Sequence, residues 1–317
     1  MSEAIAEKPA ARRRSWDIGR YTLLITLVAI VVVTAIGNPR FFTINNLFNI
    51  LLQISVLGIL AAGQTMLIVS AGLDLSVGAA LSVAGVVAAL TIVSTGSIAL
   101  GIAAGLATGA LIGFVNGLLV ATNRATPFIV TLGTMTLLQG AAIVISGGSP
   151  INGMGALFDV FGLGDLFGVP NPVYALAATL VVVFFVLRRT VLGRSAFAIG
   201  GNEEAARLSG IPVRSRKIGL YTLNGLIVGV GAVVLTGILD SALPNMGNGY
   251  ELRTIAAVVI GGTPLFGGRG TVVGTFGGVL LLGLVSNSMN LLGVGANYQN
   301  VVLGLIITAA VLLQKRG

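Results

Sequence analysis

The chain has 317 residues, of which 55% are hydrophobic and 9% charged, with a formal net charge of +8 and a mean hydropathy of +1.01. Soluble domains carry about 25% charged residues, so this composition excludes an ordinary soluble protein. The sequence contains neither cysteine nor histidine. Disulfide frameworks, thiolate metal sites and cysteine nucleophiles are therefore excluded, the commonest general base and metal ligand is missing, and we predict no catalytic residue and no metal site.

Long charge-free runs predict an all-α polytopic membrane protein. A transmembrane helix needs about 20 apolar residues, and the runs are interrupted at glycine, proline, asparagine and charge clusters. The eighth segment is either a span or a re-entrant segment, because Gly261, Gly262 and Pro264 interrupt it after barely two turns. About ten helices follow from this pattern, near residues 21–37, 47–69, 77–94, 98–121, 127–146, 172–190, 218–238, 254–264, 271–287 and 296–313.

The distribution of basic residues predicts the orientation. Residues 1–20 form a polar, basic tail that we place in the cytoplasm, followed by a single transmembrane domain, 21–317, whose C terminus is also cytoplasmic. In this topology all but two of the 18 lysines and arginines lie on the cytoplasmic side, and the exceptions are Arg40 and Arg253. The split follows the positive-inside rule. The positive charge therefore reflects topology, and we expect no nucleic-acid partner.

Asp74 is the one acid between long apolar runs, in the stretch Gly72–Gly78. Together with Ser76 it is expected to cap the third helix, where a carboxylate favours the positive end of the helix dipole. The alternative is a direct role in transport or in contacting a partner. A proton-driven carrier usually needs several buried acids or histidines, so the scarcity of such residues counts against secondary transport.

The fourth predicted helix carries a glycine at every fourth position. A stripe of small residues on one face predicts close backbone approach of a neighbouring helix. The same stripe could instead serve as a surface on which helices slide during a transport cycle. Its members are Gly101, Gly105, Gly109, Gly113 and Gly117.

Uncharged polar side chains also occur within the predicted spans. Amides donate and accept hydrogen bonds, so they suit the passage of a neutral, polyhydroxylated solute. For each amide the alternative role is an interhelical hydrogen bond. The polar residues of the spans include Gln53 and Gln139. The candidate substrate pathway consists of Gln64, Asp74, Asn116, Asn224, Asn287 and Asn290.

The longest cytoplasmic connection, 188–217, contains a short helix with explicit start and stop signals. Asn202 is a good N-cap, Glu203 and Glu204 place negative charge in the first turn, and Gly210 allows a left-handed stop before Pro212. A helix of about two turns is marginal in water. We therefore expect lipid headgroups, the rest of the chain or another protein to hold it. The segment comprises Asn202, Glu203, Glu204, Ala205, Ala206, Arg207, Leu208, Ser209 and Gly210.

This helix carries a recognisable motif. Glu204–Gly210 matches the E-A-A-x-x-x-G core found in permease subunits of ABC importers. The order of the motifs also resembles the ribose-type family of sugar permeases, which includes ribose, xylose, arabinose and galactose permeases, from Phe41 to the C terminus. The other matching stretches are Gly72–Gly78, Thr126–Thr134, Gly193-Arg194 with Ala198–Asn202, and Gly267–Thr271. The Ile-x-Leu-Pro of the broader pattern is absent, and Ile211-Pro212 follows directly, which is the usual form in the ribose-type family.

The resemblance implies a ten-helix permease of a bacterial inner membrane that works as a pair, as a homodimer, and is not itself an enzyme. It implies an ABC ATPase subunit that binds ATP and Mg and whose groove receives the coupling helix, and an extracytoplasmic solute-binding protein. The cargo would be a pentose, a hexose or a related polyol. The sequence contains no Gly-Lys-Ser/Thr, so we expect this chain to bind no cofactor itself. Membrane lipid is the remaining partner.

Two connections, Gly147–Pro172 and Asp240–Arg253, are predicted on the outer side. They are candidates for docking the binding protein, or are simple connectors exposed to water. Two other functions remain open at this stage: a stand-alone channel or secondary carrier for a small neutral solute, and an intramembrane enzyme. The first would need buried acids or a filter-like polar ring, and the second a constellation of acid, histidine or serine groups near one membrane face.

Overall fold

A computed structural model describes residues 18–295, 298–299, 301–302, 304–306 and 308. Most of the predicted tail (1–20) and more than half of the last predicted helix (296–313) lie outside the described residues. The cytoplasmic placement of both termini therefore stays a prediction.

The described chain is built almost entirely of helices. Seven of the helices in this part of the chain are long and apolar enough to cross a membrane, namely α2 to α6, α9 and α11 of the list below. This confirms an all-α polytopic membrane protein, while the count of ten spans stays a prediction. The helices of six residues or more are α1 (Ile18–Gly37), α2 (Ile44–Val69), α3 (Val77–Thr95), α4 (Ile98–Val120), α5 (Pro127–Ser146), α6 (Asn171–Arg189), α7 (Val191–Gly201), α8 (Glu203–Leu208), α9 (Val213–Leu239), α10 (Tyr250–Ile260) and α11 (Val272–Leu291). Shorter helical turns lie at Pro39–Phe42, Ala156–Phe158 and Asp159–Leu163.

Helices α2, α3 and α9 form the centre of the bundle, since they are the most buried of the seven spans. Helices α4, α5, α6, α10 and α11 surround them, and α1 packs on α11 at the periphery. The predicted bounds of the first five helices differ from α1–α5 by at most three residues. Helix α9 begins five residues earlier than predicted, because it continues beyond the apolar stretch through a turn that carries Arg214, Arg216 and Lys217.

The connections gather at two ends of the bundle. At one end the Gly268 amide donates to the Val69 carbonyl (2.9 Å), and the Lys217 ammonium donates to the Asn123 side chain (3.0 Å). Most described basic residues lie on the connections and helix ends of this basic end, which the positive-inside rule assigns to the cytoplasm. They are Arg124, Arg188, Arg189, Arg194, Arg207, Arg214, Arg216, Lys217 and Arg269.

The opposite end is closed by short strands and one helix-to-helix contact. β1 (Ile151–Asn152) pairs antiparallel with β4 (Ser241–Ala242), and β2 (Asp165–Leu166) with β3 (Val169–Pro170). The Asn38 side chain donates to the Leu291 carbonyl (2.8 Å), which joins the ends of α1 and α11. We refer to this as the outer end.

Most of the glycine stripe of α4 lies against α9, the most extensive helix pair of the described chain, while Gly101 at its outer end packs on Ile92 of α3. Gly109 and Gly113 face Gly225 and Gly229, and a Cβ at any of these positions would overlap the backbone of the facing helix. The predicted close approach is confirmed. The alternative, a sliding surface, stays a hypothesis.

The eighth predicted span, 254–264, corresponds to a short helix that follows a non-helical segment. Helix α10 has 11 residues, a length of about 16 Å, which is too short to cross a hydrocarbon core of about 30 Å. It is preceded by the non-helical segment Pro244–Gly249, which we call the break. The expectation of an outer loop over Asp240–Arg253 is wrong for most of that range. Only its first residues pair at the outer end, through β4, because the following chain enters the bundle along α3.

Candidate coupling and translocation sites

The short helix at the basic end begins and ends at the predicted signals. Asn202 has an extended backbone, and its side-chain oxygen accepts the Ala205 amide (2.9 Å). Helix α8 ends at Leu208, and Gly210 follows in the left-handed region with φ of +82°. A residue with a Cβ is strained in that region. The helix therefore occupies six of the nine predicted residues, with the cap and the stop at its two ends.

The chain itself holds this helix in place. Ala206 is buried in a small apolar cluster with Ile199 of α7 and Val213 at the start of α9. Packing of this kind supplies the stability that a helix of less than two turns lacks on its own. The remaining side chains of α8, apart from the half-buried Glu203, are exposed.

A charged junction joins α8 to two transmembrane elements. The Lys217 ammonium of α9 donates to Glu203 Oε1 (2.7 Å) and to Asn123 Oδ1 (3.0 Å). The Asn123 amide in the α4–α5 connection donates to the same Glu203 oxygen (3.2 Å). Lys217 is buried and Glu203 partly exposed, so the pair is less screened than a surface ion pair. The junction therefore connects α8 directly to α9 and to the α4–α5 connection.

The outward face of α8 is polar with one large apolar residue. Glu204 and Arg207 form an exposed ion pair (2.6 Å) one turn apart. Leu208 is 80% exposed at the end of the helix. These side chains are exposed in the described part of the chain, so this face is accessible to a partner at the basic end. The coupling role of Asn202–Gly210 stays a prediction.

Asp74 lies in the connection between α2 and α3 and is only 3% exposed. Its Oδ1 accepts the Ser76 amide (2.8 Å) and the Ser76 hydroxyl (2.6 Å), and its Oδ2 accepts the Asn224 amide (3.1 Å). Ser76 occupies the N-cap position of α3, but its hydroxyl caps no helix amide. The expected cap therefore takes another form, in which the Asp74 carboxylate orders the residue before the helix.

Four of the six candidate pathway residues, Asp74 included, form one cluster around Asp74 and Ser76, which we call the Asp74 cluster. The Asn116 amide donates to the Ser76 hydroxyl (2.8 Å), and the Gln64 amide donates to the Asp74 carbonyl (3.3 Å). Together with Asn224 they join α2, α4 and α9 around the α2–α3 connection, and all are buried within the subunit. This is the interhelical role given above as the alternative for each amide. A place on the substrate pathway stays a prediction for all four.

Two further residues hold the same connection and were missed by sequence reasoning. The Tyr221 hydroxyl donates to the Leu73 carbonyl (3.0 Å) and accepts the Leu73 amide (3.2 Å). The Thr131 hydroxyl of α5 accepts the Leu75 amide (3.1 Å). The signal for Thr131 was present, because it lies in the Thr126–Thr134 stretch. A tyrosine in an apolar helix carried no such signal.

The other two candidate residues lie elsewhere. Asn287 of α11 exchanges amide hydrogen bonds with Asn46 of α2 (2.8 and 3.2 Å), towards the outer end. Asn290 is exposed, and its side-chain oxygen accepts the Gln299 amide (2.7 Å). The structure therefore does not bring Asn287 or Asn290 to the Asp74 cluster.

The break brings polar groups into the bundle that the sequence had placed outside it. The Gly247 amide donates to the Ser82 hydroxyl of α3 (3.0 Å), and the Gly249 amide donates to Glu251 Oε1 (3.1 Å). Asn245 and Asn248 are exposed beside them. A glycine- and proline-interrupted apolar segment is a known sign of a discontinuous membrane helix near a binding site, and Pro244, Gly247 and Gly249 supplied that sign.

Comparison with known proteins gives a consistent set of relatives. Residues 46–311 match the family described as branched-chain amino acid transport system / permease component. The chain is 45% identical to the ribose import permease protein of Escherichia coli (strain K12), over 96% of this chain and 95% of that protein. It is 38% identical to the L-arabinose transport system permease protein of the same organism (99% and 97%) and 35% identical to its D-allose transport system permease protein (99% and 96%). No solved structure gave a significant match.

Proposed function

The chain belongs to this family of permease components, and we propose that it forms the translocation pathway of an ATP-driven importer for a monosaccharide or a related polyol. It is a transporter subunit and a multi-pass protein of a bacterial inner membrane. The resemblance to ribose-type sugar permeases is confirmed by relatives that are named for ribose, L-arabinose and D-allose. Pentoses and hexoses are therefore the substrates to test first.

The observation that carries the ATP-driven mechanism is the capped helix α8 at the basic end. Its inner side is fixed through Ala206 and Glu203, and its outer side is free. A helix that is fixed to the membrane domain on one side and exposed on the other can bind a partner and pass the partner's movement to the membrane helices. We assign the groove that receives Asn202–Gly210 to an ABC ATPase subunit, which binds ATP and Mg, while this chain binds no nucleotide.

The proposed cycle follows the contacts inward from α8. When the ATPase subunits close on ATP, α8 moves with them, and the Glu203–Lys217–Asn123 junction passes the movement to α9 and the α4–α5 connection. Helix α9 bonds through Asn224 to Asp74, so the start of α3 moves too. The access of the pathway then changes from one side of the membrane to the other.

Two further partners complete the assembly. An extracytoplasmic solute-binding protein is placed on the outer end, where Gly147–Pro172 carries Asp159 and Asp165 but no lysine or arginine. A second copy of this permease completes a homodimer in the membrane, and lipid covers the remaining apolar faces. No nucleic acid is involved, since the positive-inside distribution accounts for the basic residues.

Purification from native membranes tests the proposal. The chain is extracted in mild detergent with an affinity tag, and the proteins that remain bound are identified by mass. We expect an ATPase with a P-loop in roughly equal amount, and its loss when Ala205 and Gly210 are changed to Asp and Pro. Recovery of the chain alone, with solute flux retained in liposomes that contain no ATP, would instead establish a channel or carrier.

A further inference from the structure

The break lies deep within the membrane-spanning bundle. The Met246 side chain reaches Gly85, and Gly247 packs on Gly78, where a Cβ on either glycine would overlap the other's backbone. Gly85 and Gly78 precede the outer end of α3, at Thr95, by ten and seventeen residues. At 1.5 Å per residue, the break lies about 15 to 25 Å below the outer end. Its polar groups are therefore at the depth of the hydrocarbon core.

The amides of the break are exposed at this depth and unused. The side chains of Asn245 and Asn248 form no hydrogen bond with any described residue, and both are exposed in the isolated subunit. Non-helical backbone and unpaired amides are not tolerated against lipid. This face of the break must therefore border water or another protein.

A second set of unused amides lies along α2 towards the outer end. Asn45, Asn49 and Gln53 follow one another at four-residue intervals along α2. All three are exposed, although α2 is otherwise the most buried of the spans, and none forms a side-chain hydrogen bond with a described residue. Gln53 lies nine residues, about 13 Å, below the start of α2.

This amide row lies on the α9 side of α2. Gln53 precedes Leu60 by seven residues, so the two side chains lie on nearly the same face of the helix. Leu60 contacts Gly231 of α9, and α9 leads through β4 directly into the break. The row thus lies on the α9 side of α2 towards the outer end, and the break, which follows α9 in the chain, lies deeper in the bundle against α3.

We propose that Asn45, Asn49 and Gln53 of α2, together with Asn245 and Asn248 of the break, form the sugar-contacting surface of the translocation pathway. The inference rests on the proposed function, since its ligand is the neutral, polyhydroxylated cargo of the importer. Each amide can accept a hydrogen bond from one sugar hydroxyl and donate to another. Along α2 the amides follow one another at about one helical turn, which lets the cargo move by exchanging weak contacts with no charged group to hold it.

The Asp74 cluster differs from this surface in the burial and hydrogen bonding of its amides. The side-chain nitrogens of Gln64, Asn116 and Asn224 already donate to neighbours inside the subunit, and all three side chains are fully buried, although their oxygens accept no hydrogen bond from the described residues. They hold the α2–α3 connection and the start of α3 in place, whereas the amides of the row and the break are exposed and able to bind cargo. Glu251 acts as a positioning residue, because it accepts the Gly249 amide and so holds the end of the break.

Thiol accessibility tests the proposal, because the natural chain contains no cysteine. Gln53→Cys, Asn245→Cys and Asn248→Cys are made singly, and the complete importer in membranes is treated with a charged, membrane-impermeant methanethiosulfonate. We expect all three thiols to react, and the rate to fall at least threefold with saturating D-ribose, L-arabinose or D-allose, whichever is transported. Leu137→Cys, 68% exposed on the apolar face of α5, is the matched control and should not react.

Transport measurements provide the second test. With ATP-dependent uptake first established for the unmodified importer, Gln53→Leu and the Asn245→Leu/Asn248→Leu pair should each reduce kcat/KM for sugar at least tenfold. Assembly with the ATPase and basal ATP hydrolysis should be unchanged, and Thr136→Val on α5 should transport normally. Unreactive thiols, or normal uptake by the leucine variants, would overturn the inference. Absence of ATP-dependent uptake in the unmodified importer would instead refute the proposed function.

Discussion

Removal of the charge at the coupling junction should loosen α8 without unfolding the membrane domain. In Lys217→Met the ammonium that bonds both Glu203 and Asn123 is lost, while the aliphatic stem of the side chain is largely retained. Exposed ion pairs contribute about 0–1 kcal/mol, and breaking a buried pair costs about 3–5 kcal/mol. The Lys217–Glu203 pair is buried on one side only, so we expect about 2 kcal/mol. This corresponds to about a thirtyfold change in the equilibrium between held and released α8.

Hydrogen exchange of the α8 amides measures this equilibrium directly. Protection of the Ala205 and Ala206 amides, which bond to Asn202, should fall by about thirtyfold in Lys217→Met. Arg207→Met removes the exposed pair with Glu204 and should change protection by about twofold or less. In the complete importer, Lys217→Met should also raise the ATP consumed per sugar imported. Unchanged exchange together with an unchanged coupling ratio would refute the role of the junction.

Three other substitutions test separate parts of the structure. Gly113→Leu places a side chain into the backbone of α9 and should lower the free energy of unfolding in detergent by at least about 3 kcal/mol. A Cβ at Gly133 meets no described atom within 4 Å, so Gly133→Leu should leave the free energy of unfolding unchanged. Asp74→Ala leaves the Ser76 amide and the Asn224 side chain buried without their acceptor and should cost about 3 kcal/mol; an unchanged unfolding midpoint would contradict this. Ala205→Asp, on the exposed face of α8, should leave the fold intact but abolish binding of the ATPase in a pull-down, and normal binding would argue against this face as the docking surface.

The spans were predictable because hydropathy and helix signals are local. An apolar run of sufficient length has one stable form in a membrane, and the bounds of α1–α5 follow from it within three residues. The caps of α8 are equally local, since Asn202 and Gly210 act on their own neighbours. The glycine stripe of α4 predicted a close contact, but the identity of its partner, α9, came only from the structure.

The depth of the break was not predictable from its composition. Pro244, Gly247 and Gly249 indicate that the apolar pattern is interrupted, but the composition of the segment does not indicate how deep in the bundle the interruption lies. Its position depends on contacts with α3, namely Gly247 with Ser82 and Gly78, which are more than 160 residues away in the chain. Glu251 was placed in an outer loop for the same reason.

The candidate pathway residues show a related limit. The sequence shows that an amide lies in an apolar helix, but not whether its side chain forms a hydrogen bond with a neighbour or remains unpaired. Asn224 turned out to serve Asp74, while Gln53 has no partner among the described residues. The difference arises from how α2 and α9 pack. The two helices are in contact at Gly63 and Leu60, whereas Gln53, nearer the start of α2, stays exposed.

Uptake of radiolabelled sugar into proteoliposomes tests the central claim most directly. The chain is reconstituted with the ATPase that copurifies with it, the solute-binding protein is added outside, and ATP or a non-hydrolysable analogue is enclosed. We expect D-ribose, L-arabinose or D-allose to accumulate above its external concentration only with hydrolysable ATP and the binding protein present. Equal uptake with the analogue, rising only to the external concentration, would contradict an ATP-driven importer.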